Sequence, residues 1–358
     1  MIYSVSSNAA ISTAMKNAVA GDVIALAPGV YSDVSLKNLS FSAAVTITSA
    51  DPDHPAVLVD FALTSVTNVT LQNLSFEVGD AAALSITNSQ NIVVDNVDVS
   101  GASDQTLGGN GIKVTSSEQV TIKDSHVHHL GNGVSLSFSE HVTVTGNVVE
   151  YIRVDGIRGN GSSWVEISDN ELRTFKRNPG EHGDAIQFFT VNTTAPTHDI
   201  RIIDNLIERG EGGRMQGIFM RDESKGKTPY INVEISGNTL LGTGYNGIAI
   251  NFAQGAIITN NTVVGYEDQT SWISLEDTNG AVLRDNTASS YRDHRNVNFD
   301  RADNVTVSLT NPTNDDKYVA EHFLRNAAGV AEPGYHFPPS DVPVWDFGLV
   351  ANEGWLFV

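Results

Sequence analysis

Cysteine is absent from this 358-residue sequence, which excludes disulfides and any chemistry that needs a thiolate. The absence leaves the compartment open, because secreted proteins also fold without disulfides. No run of about 18 or more apolar residues is present, so a helical membrane span is not expected. The start of the chain, Met1 to Val5, also lacks the basic region and apolar core of a cleaved signal peptide.

Positive charge is scarce. Lys and Arg number 21 against 42 Asp and Glu, and the formal net charge is -21. Such a balance argues against nucleic acid or an anionic membrane as the partner. The basic residues are unevenly placed, however, because 11 of the 21 lie between positions 153 and 227, alongside 12 acidic residues. This segment is either a site for an acidic ligand or an ordinary solvated surface.

The chain divides into three parts. Apolar residues at helical spacing predict one amphipathic helix over Asn8 to Ala20, and residues 1–22 are expected to form an N-terminal cap. From 23 to 310 nearly everything is typical of short strands and turns. Residues 311–358 contain 5 of the 11 prolines and lose the repeat described next, so we expect an irregular C-terminal cap.

Two patterns repeat through the middle part. The first is a polar residue, a small residue and an apolar residue, and the second is a short apolar strand followed by Asn. The first pattern begins at Asn110, Asn132, Asp155, Asp184, Gln216 and Asn246, at intervals of 22, 23, 29, 32 and 30 residues. The asparagines of the second are Asn147, Asn170, Asn205, Asn238, Asn261 and Asn286. Patterns that stay in phase at such intervals predict a solenoid of stacked coils, in which the asparagines form a structural ladder.

The segment Ala20 to Tyr31, AGDVIALAPGVY, and the Asn-Gly-Ile coils resemble the right-handed parallel β-helix proteins of the pectin-lyase-like group. This group includes pectate and alginate lyases, polygalacturonases, phage tailspikes and mannuronan epimerases. The resemblance covers roughly residues 1 to 310 and implies an all-β solenoid with a short N-terminal capping helix. It also implies an acidic polysaccharide as partner, an extracellular or virion-surface location, and a monomer or a homotrimer.

Alternation along the strands predicts which side chains face the polymer. Counting from the first residue of each polar–small–apolar unit, positions two and four should point inward, and positions three and five outward. The outward positions include Lys113, Arg158, Gln187 and Phe219, and also Asn160, Phe189 and Arg221. Aromatic rings beside polar groups suit sugars, and arginine suits carboxylates. We predict these residues, with Arg214 and Gln216, to contact the substrate. The alternative is that insertions shift the register and bury both phenylalanines.

Asp155 and Asp184 occupy the same position on adjacent coils, and in polygalacturonases a unit of this kind places its Asp in the cleft. A spacing of one strand, about 5 Å, would match retaining glycosidases. The same two carboxylates are candidate ligands for Ca²⁺. Alternatively, Asp155 is a turn variant of the asparagine pattern. His182, two residues before Asp184, is a candidate for proton transfer, and the alternative is an ordinary loop histidine.

Three functions remain open. The preferred one is β-elimination on a uronate polymer, in which Arg158, Arg221 or Ca²⁺ neutralises the carboxylate. The proton is then removed by His182, Tyr151, Tyr245 or a lysine. Some lyases of the group use an arginine base, which makes the arginines candidates for that role too. The second is glycoside hydrolysis by Asp155 and Asp184. The third is a non-catalytic carbohydrate-binding or adhesion role. C5-epimerisation is disfavoured, because no coil carries the Tyr, Asp and His set of the epimerases.

Overall fold

The computed structural model describes residues 1–101 and 107–327. These contain 34 strands and two α-helices, and the strands pair in parallel, each with its counterpart on the next coil. The pairings form three continuous series, which we name sheets A, B and C in the order in which the chain visits them. This arrangement is a parallel β-helix, as the repeat predicts.

The strand bounds are as follows. Sheet A contains Ile2–Val5, Val23–Leu26, the second part of Ser35–Ser49, the second part of Phe61–Gln72, Gln90–Asp95, Glu118–Lys123, Glu140–Thr145, Ser163–Ser168, Thr197–Ile203, Tyr230–Ser236, Ala253–Gln254, Ile257–Thr259, Val282–Arg284 and Asp300–Ala302. Sheet B contains Val30–Ser32, Val57–Val59, Ser75–Glu77, Asp98–Ser100, the first part of His126–Ser137, Val148–Ile152, Glu171–Arg173, Leu206–Glu208, Thr239–Leu241, Thr262–Val264, Thr287–Ala288 and Val305–Thr306. Sheet C contains the first parts of Ser35–Ser49 and Phe61–Gln72, then Leu84–Thr87, Gly108–Thr115, the second part of His126–Ser137, Asp155–Asn160, Asp184–Phe189, Gln216–Arg221, Asn246–Asn251, Trp272–Glu276 and Tyr291–His294.

The interior is a stack of aliphatic side chains, one from each coil. On sheet C, Ile157, Ile186, Ile218, Ile248 and Ile273 are in direct register and have no solvent-exposed surface. Burying each such side chain contributes roughly 1.5–3 kcal/mol. Because each coil places the same side chain in the same position, the coils stack without any change of spacing.

The corner between sheets A and B is held by the predicted asparagine ladder. Each side-chain amide donates to the carbonyl oxygen of the next asparagine at about 3 Å, and also to backbone carbonyls. The ladder runs from Asn147 to Asn286 as predicted and ends one coil later at Asn304. At the corner between sheets C and A, serine hydroxyls accept from backbone N–H groups in the same manner. Both corners therefore satisfy buried backbone groups through side chains.

The ends of the solenoid differ from the prediction in detail. The first strand, Ile2–Val5, precedes the helix and pairs with Val23–Leu26, so part of the predicted cap belongs to sheet A. The helix itself is Asn8–Asn17, begun by the Ser7 cap and ending before Ala20.

At the other end, a second helix, Asp315–Ala327, lies where we predicted irregular structure. Its acidic first turn and its late Arg325 suit the helix dipole. Arg325 donates to the backbone of Asn260 and Gly237. The apolar, proline-rich tail that completes the predicted C-terminal cap lies outside the described residues. Neither helix is long and apolar enough to cross a membrane.

Candidate active site

The residues predicted to face the polymer align on sheet C. Arg158, Gln187 and Phe219 are consecutive register partners, and so are Asn160, Phe189 and Arg221. Lys113 lies two coils earlier, opposite Ser135, which in turn pairs with Arg158. The predicted column alignment is therefore confirmed.

The predicted alternation is confirmed as well. Ile186 and Phe188 are buried, whereas Phe189 and Phe219 are only partly covered and the Arg221 side chain is 49 % exposed. The proposed burial of both phenylalanines by a register shift is therefore wrong. Rings that are partly exposed on adjacent coils provide a flat apolar surface to a ligand lying across sheet C.

The small residue in each unit lets the coils approach closely. A Cβ atom on Gly217 would lie 2.2 Å from the carbonyl oxygen of Gly247, and one on Gly156 would lie 2.6 Å from that of Ala185. The first three residues of the strands Asp155–Asn160 and Asp184–Phe189 are all buried, so the alternation of buried and exposed side chains begins only at the fourth residue. Asp155 and Asp184 are register partners, and both lie beneath the surface of sheet C.

The two carboxylates occupy unequal sites. Asp155 is 4 % exposed and Asp184 has no exposed surface. Burial and then the charge of Asp184 raise the pKa of Asp155 to about 6, and burial raises the pKa of Asp184. Arg158 offsets part of this effect, since its guanidinium lies 3.5 Å from Asp155 and donates to the Ser135 hydroxyl at 3.1 Å. Asp155 thus holds Arg158 in place at the surface.

His182 covers Asp184. Its Nδ1 lies 3.1 Å from Asp184 Oδ2, and its side chain is 59 % exposed. Both Asp184 oxygens are buried, and neither accepts an aligned hydrogen bond from the described residues. The ring also makes an edge contact with Phe219, at 5.7 Å between centroids. The Asp184 carboxylate raises the pKa of His182 above its ordinary value. The histidine is therefore the accessible member of a His–Asp pair.

A chain of hydrogen bonds leads from Trp272 to the imidazole of His182. Trp272 can only donate, and it donates to Asn246 Oδ1 at 2.9 Å. Asn246 then donates to Gln216 Oε1, and Gln216 Nε2 faces His182 Nε2. The same Gln216 nitrogen lies 3.3 Å from His182 Nδ1, which is the ring nitrogen that faces Asp184 Oδ2 at 3.1 Å. Nε2 is the ring nitrogen on the far side from that carboxylate.

Sequence reasoning missed Trp272 and Asn246 as parts of this site. Trp272 opens the strand one coil after Asn246, at the same position of the repeat, and stacks on Tyr245 at 4.9 Å. The signal in the sequence was the alternation of apolar and polar residues over Trp272–Glu276. It was missed because this segment lacks the small residue that marks the earlier units. Beyond Phe219, a groove of 890 Å³ continues over Trp272 and Arg292. Arg292 lies 4.4 Å above the Trp272 ring.

Two predicted substrate ligands have partners within the protein. Arg214 is paired with Asp268 at 3.0 Å, and the same carboxylate also holds Arg209. The Asn160 amide exchanges two hydrogen bonds with the backbone of Val191. Both residues fix loops beside sheet C, and their contact with substrate stays a prediction.

Calcium at Asp155 and Asp184 also stays a prediction. Calcium takes six to eight oxygen ligands. The pair offers two buried carboxylates with Arg158 already beside one of them. In the described part of the chain, a group of three Asp and His side chains does converge as metal ligands would, but it lies elsewhere, on sheet B. The described residues around Asp184 thus supply fewer oxygen ligands than Ca²⁺ usually takes.

Comparisons with known proteins agree with this architecture. The family model described as right-handed β-helix region matches residues 60–215. A search of curated proteins gives no match.

Among solved structures, a Paenibacillus alginate lyase is similar at 16 % identity and a TM-score of 0.50, over 85 % of this chain and 99 % of that one. The A-module of an Azotobacter vinelandii mannuronan C-5 epimerase has 15 % identity, a TM-score of 0.53, and coverage of 84 % and 95 %. The Dettilon tailspike protein has 14 % identity and a TM-score of 0.59, over 80 % of this chain and 58 % of its own. With the strand pairing, these similarities establish that the chain folds as a right-handed parallel β-helix.

Proposed function

We propose that this protein is a polysaccharide lyase that cleaves a uronate-containing polymer by β-elimination across sheet C. One observation carries the proposal: an exposed histidine, oriented by a fully buried carboxylate, lies on the same face as a fixed arginine. Two of the structural relatives are an alginate lyase and a mannuronan C-5 epimerase module, which makes alginate the first polymer to test. Such polymers lie outside cells, so we also propose an extracellular or surface location.

The reaction uses the residues in distinct roles. Arg158, aided by Arg221, binds the uronate carboxylate and so stabilises the negative charge that develops when C5 loses its proton. His182 Nε2 takes that proton once the substrate has displaced the Gln216 amide from it, and Asp184 stabilises the imidazolium that forms. The C5 electron pair forms the C4–C5 double bond as the C4–O bond breaks. The imidazolium returns a proton to the departing oxygen, so atoms and charge balance.

Hydrolysis by Asp155 and Asp184 is the alternative, and the raised pKa of Asp155 favours it. A retaining hydrolase, however, requires its nucleophilic carboxylate to touch the anomeric carbon. Asp184 has no exposed surface and Asp155 only 4 %. Both carboxylates are therefore better placed to act on His182 and Arg158 than on a sugar.

The proposal is tested by incubating the full chain with alginate, polygalacturonate and glucuronan, and by following ultraviolet absorbance and reducing ends together. Elimination produces an unsaturated uronic end that absorbs, and we expect both signals to rise in proportion on at least one polymer. Reducing ends without absorbance would instead establish hydrolysis. Binding without either signal would establish a carbohydrate-binding protein.

Replacing Asp184 by Asn should move the pH profile. His182 acts as a base only when it is neutral, and Asp184 is the main cause of its raised pKa. In D184N the pKa of His182 falls, so the acidic limb of kcat against pH shifts to lower pH while the plateau drops, because the base is weaker. The measurement is kcat at saturating polymer across the acidic and neutral range. A limb that stays in place, or moves to higher pH, would contradict the assigned pair.

A further inference from the structure

A second cluster of ionisable groups lies on sheet B, separate from the proposed cleft on sheet C. Asp98, His126 and His128 each place one oxygen or nitrogen within 4.8 Å of the others. They come from two adjacent coils, because Asp98 is the register partner of His126 and Ser100 that of His128. Neither coil carries any residue that we assign to the lyase reaction.

The distances match those of metal ligands. Asp98 Oδ1 lies 3.1 Å from His128 Nε2 and 3.4 Å from His126 Nδ1. Ligands bound tetrahedrally at about 2.0–2.1 Å are about 3.3 Å from one another. The two imidazoles stack at 4.2 Å, which brings both to the same side of Asp98. The Asp98 oxygen thus lies at ligand-to-ligand distance from both nitrogens, and all three atoms lie within 4.8 Å of one another.

Glu150, on the following coil, orients His126 toward that position. Glu150 Oε1 lies 3.0 Å from His126 Nε2, and its other oxygen accepts from Arg173 at 2.8 Å. With the Nε2 hydrogen directed at Glu150, the lone pair of Nδ1 faces Asp98. A carboxylate that holds the outer nitrogen of a metal-binding imidazole is a recurrent feature of zinc sites.

His128 is oriented similarly. Its Nδ1 lies 2.6 Å from Nδ1 of His129, whose ring stacks on Tyr151 at 4.6 Å. When Nδ1 of His128 donates to His129, its Nε2 presents a lone pair to Asp98. Both histidines therefore offer a nitrogen lone pair where the carboxylate oxygen also points.

We propose that Asp98, His126 and His128 bind Zn²⁺, with the fourth position open to a water molecule or an external ligand. Two imidazoles and one carboxylate suit Zn²⁺ rather than Ca²⁺ or Mg²⁺, which prefer oxygen ligands. Asp98 and His126 also line a groove of 540 Å³ together with Pro52 and Pro55, so the open position is reachable from solvent.

The test is calorimetric titration of ZnCl₂ into the untagged full chain after treatment with a chelator. We expect one strong site, which H128Q and D98N remove. In E150Q we expect binding about 10–100-fold weaker, because only the support of His126 is lost. Circular dichroism verifies that each variant is folded. Co²⁺ at the same site should give the intense visible absorption of tetrahedral coordination.

The matched control is H54Q. His54 also lies beside a carboxylate, Asp51, at 2.9 Å, but on an exposed loop and outside the converging group. Zinc affinity should be unchanged in this variant, and CaCl₂ should not compete. Zinc binding that persists unaltered in both H128Q and D98N, or its absence from the wild-type chain at millimolar ZnCl₂, would overturn the proposal. Lyase activity takes no part in this test, so either proposal can fail alone.

Discussion

Replacing His182 by Asn is expected to lower kcat on the responsive polymer by about 10²–10⁴-fold, the usual contribution of a general base. Asn is close in size and can still receive the hydrogen bond from Gln216, but it cannot accept a proton. The effect should fall on kcat more than on KM, because Arg158, Arg221 and the partly exposed phenylalanines keep their places. The measurement is the initial rate of ultraviolet absorbance increase at saturating polymer.

The control for this variant is H141N. His141 is exposed on sheet A, stacks on Trp164, and has a left-handed backbone that Asn adopts readily. Its activity should equal that of the wild type. General-base catalysis contributes more than a tenfold effect. If H182N retained more than about a tenth of the wild-type kcat, His182 would not be the base and another residue would have to be sought. Tyr245, which is 57 % exposed beside Trp272, would be the first candidate.

Replacing Asn205 by Ala should lower the free energy of unfolding by at least about 2 kcal/mol. The Asn205 amide donates to the carbonyls of Ile167 and Ile203, and its oxygen accepts from the backbone N–H of Asn170. Removing it takes the side-chain partner from the buried N–H of Asn170 and from the carbonyl of Ile167, at about 1–3 kcal/mol each. The Ile203 carbonyl, in contrast, still accepts from the backbone N–H of Asp169. The measurement is the urea midpoint, followed by circular dichroism.

The matched control for Asn205 is N17A, at the exposed end of the N-terminal helix, where a surface change should stay within about 0.5 kcal/mol. Equal midpoints for the two variants would mean that the ladder follows the fold without stabilising it. A broadened transition in N205A would indicate that the coils on its two sides unfold separately, since each coil contacts only its neighbours.

The columns of the solenoid were predictable because they depend on local rules. Each coil repeats the same corner residues and the same alternation, so the pairing of Arg158 with Gln187 follows once the period is recognised. These features require no knowledge of distant parts of the chain. The expectation that Asp155 and Asp184 lie in the cleft was wrong, because both side chains are buried.

Other features depend on coil lengths and on contacts between distant coils, which the sequence pattern does not reveal. Asp98 meets His126 only because the intervening coil has a particular length, and that coil includes a segment with no regular pattern. The contact of Gln216 with His182 is linked through Asn246 to Trp272, three coils beyond Asp184, and no local rule fixes the orientation of these amides. The C-terminal helix was missed because prolines later in the tail suggested irregular structure throughout.

On sheet C each residue of a coil pairs with the equivalent residue of the next coil, and this register has an evolutionary consequence. A substitution at position three or five of a unit alters what the surface offers to one step of a bound polymer, about 4.8 Å along the axis, and leaves the aliphatic stack beneath untouched. Duplication of a coil would lengthen the binding face by one such step, with its corner asparagine already in phase. New specificity could thus arise by copying and editing single coils, with the proton-transfer residues kept where they are.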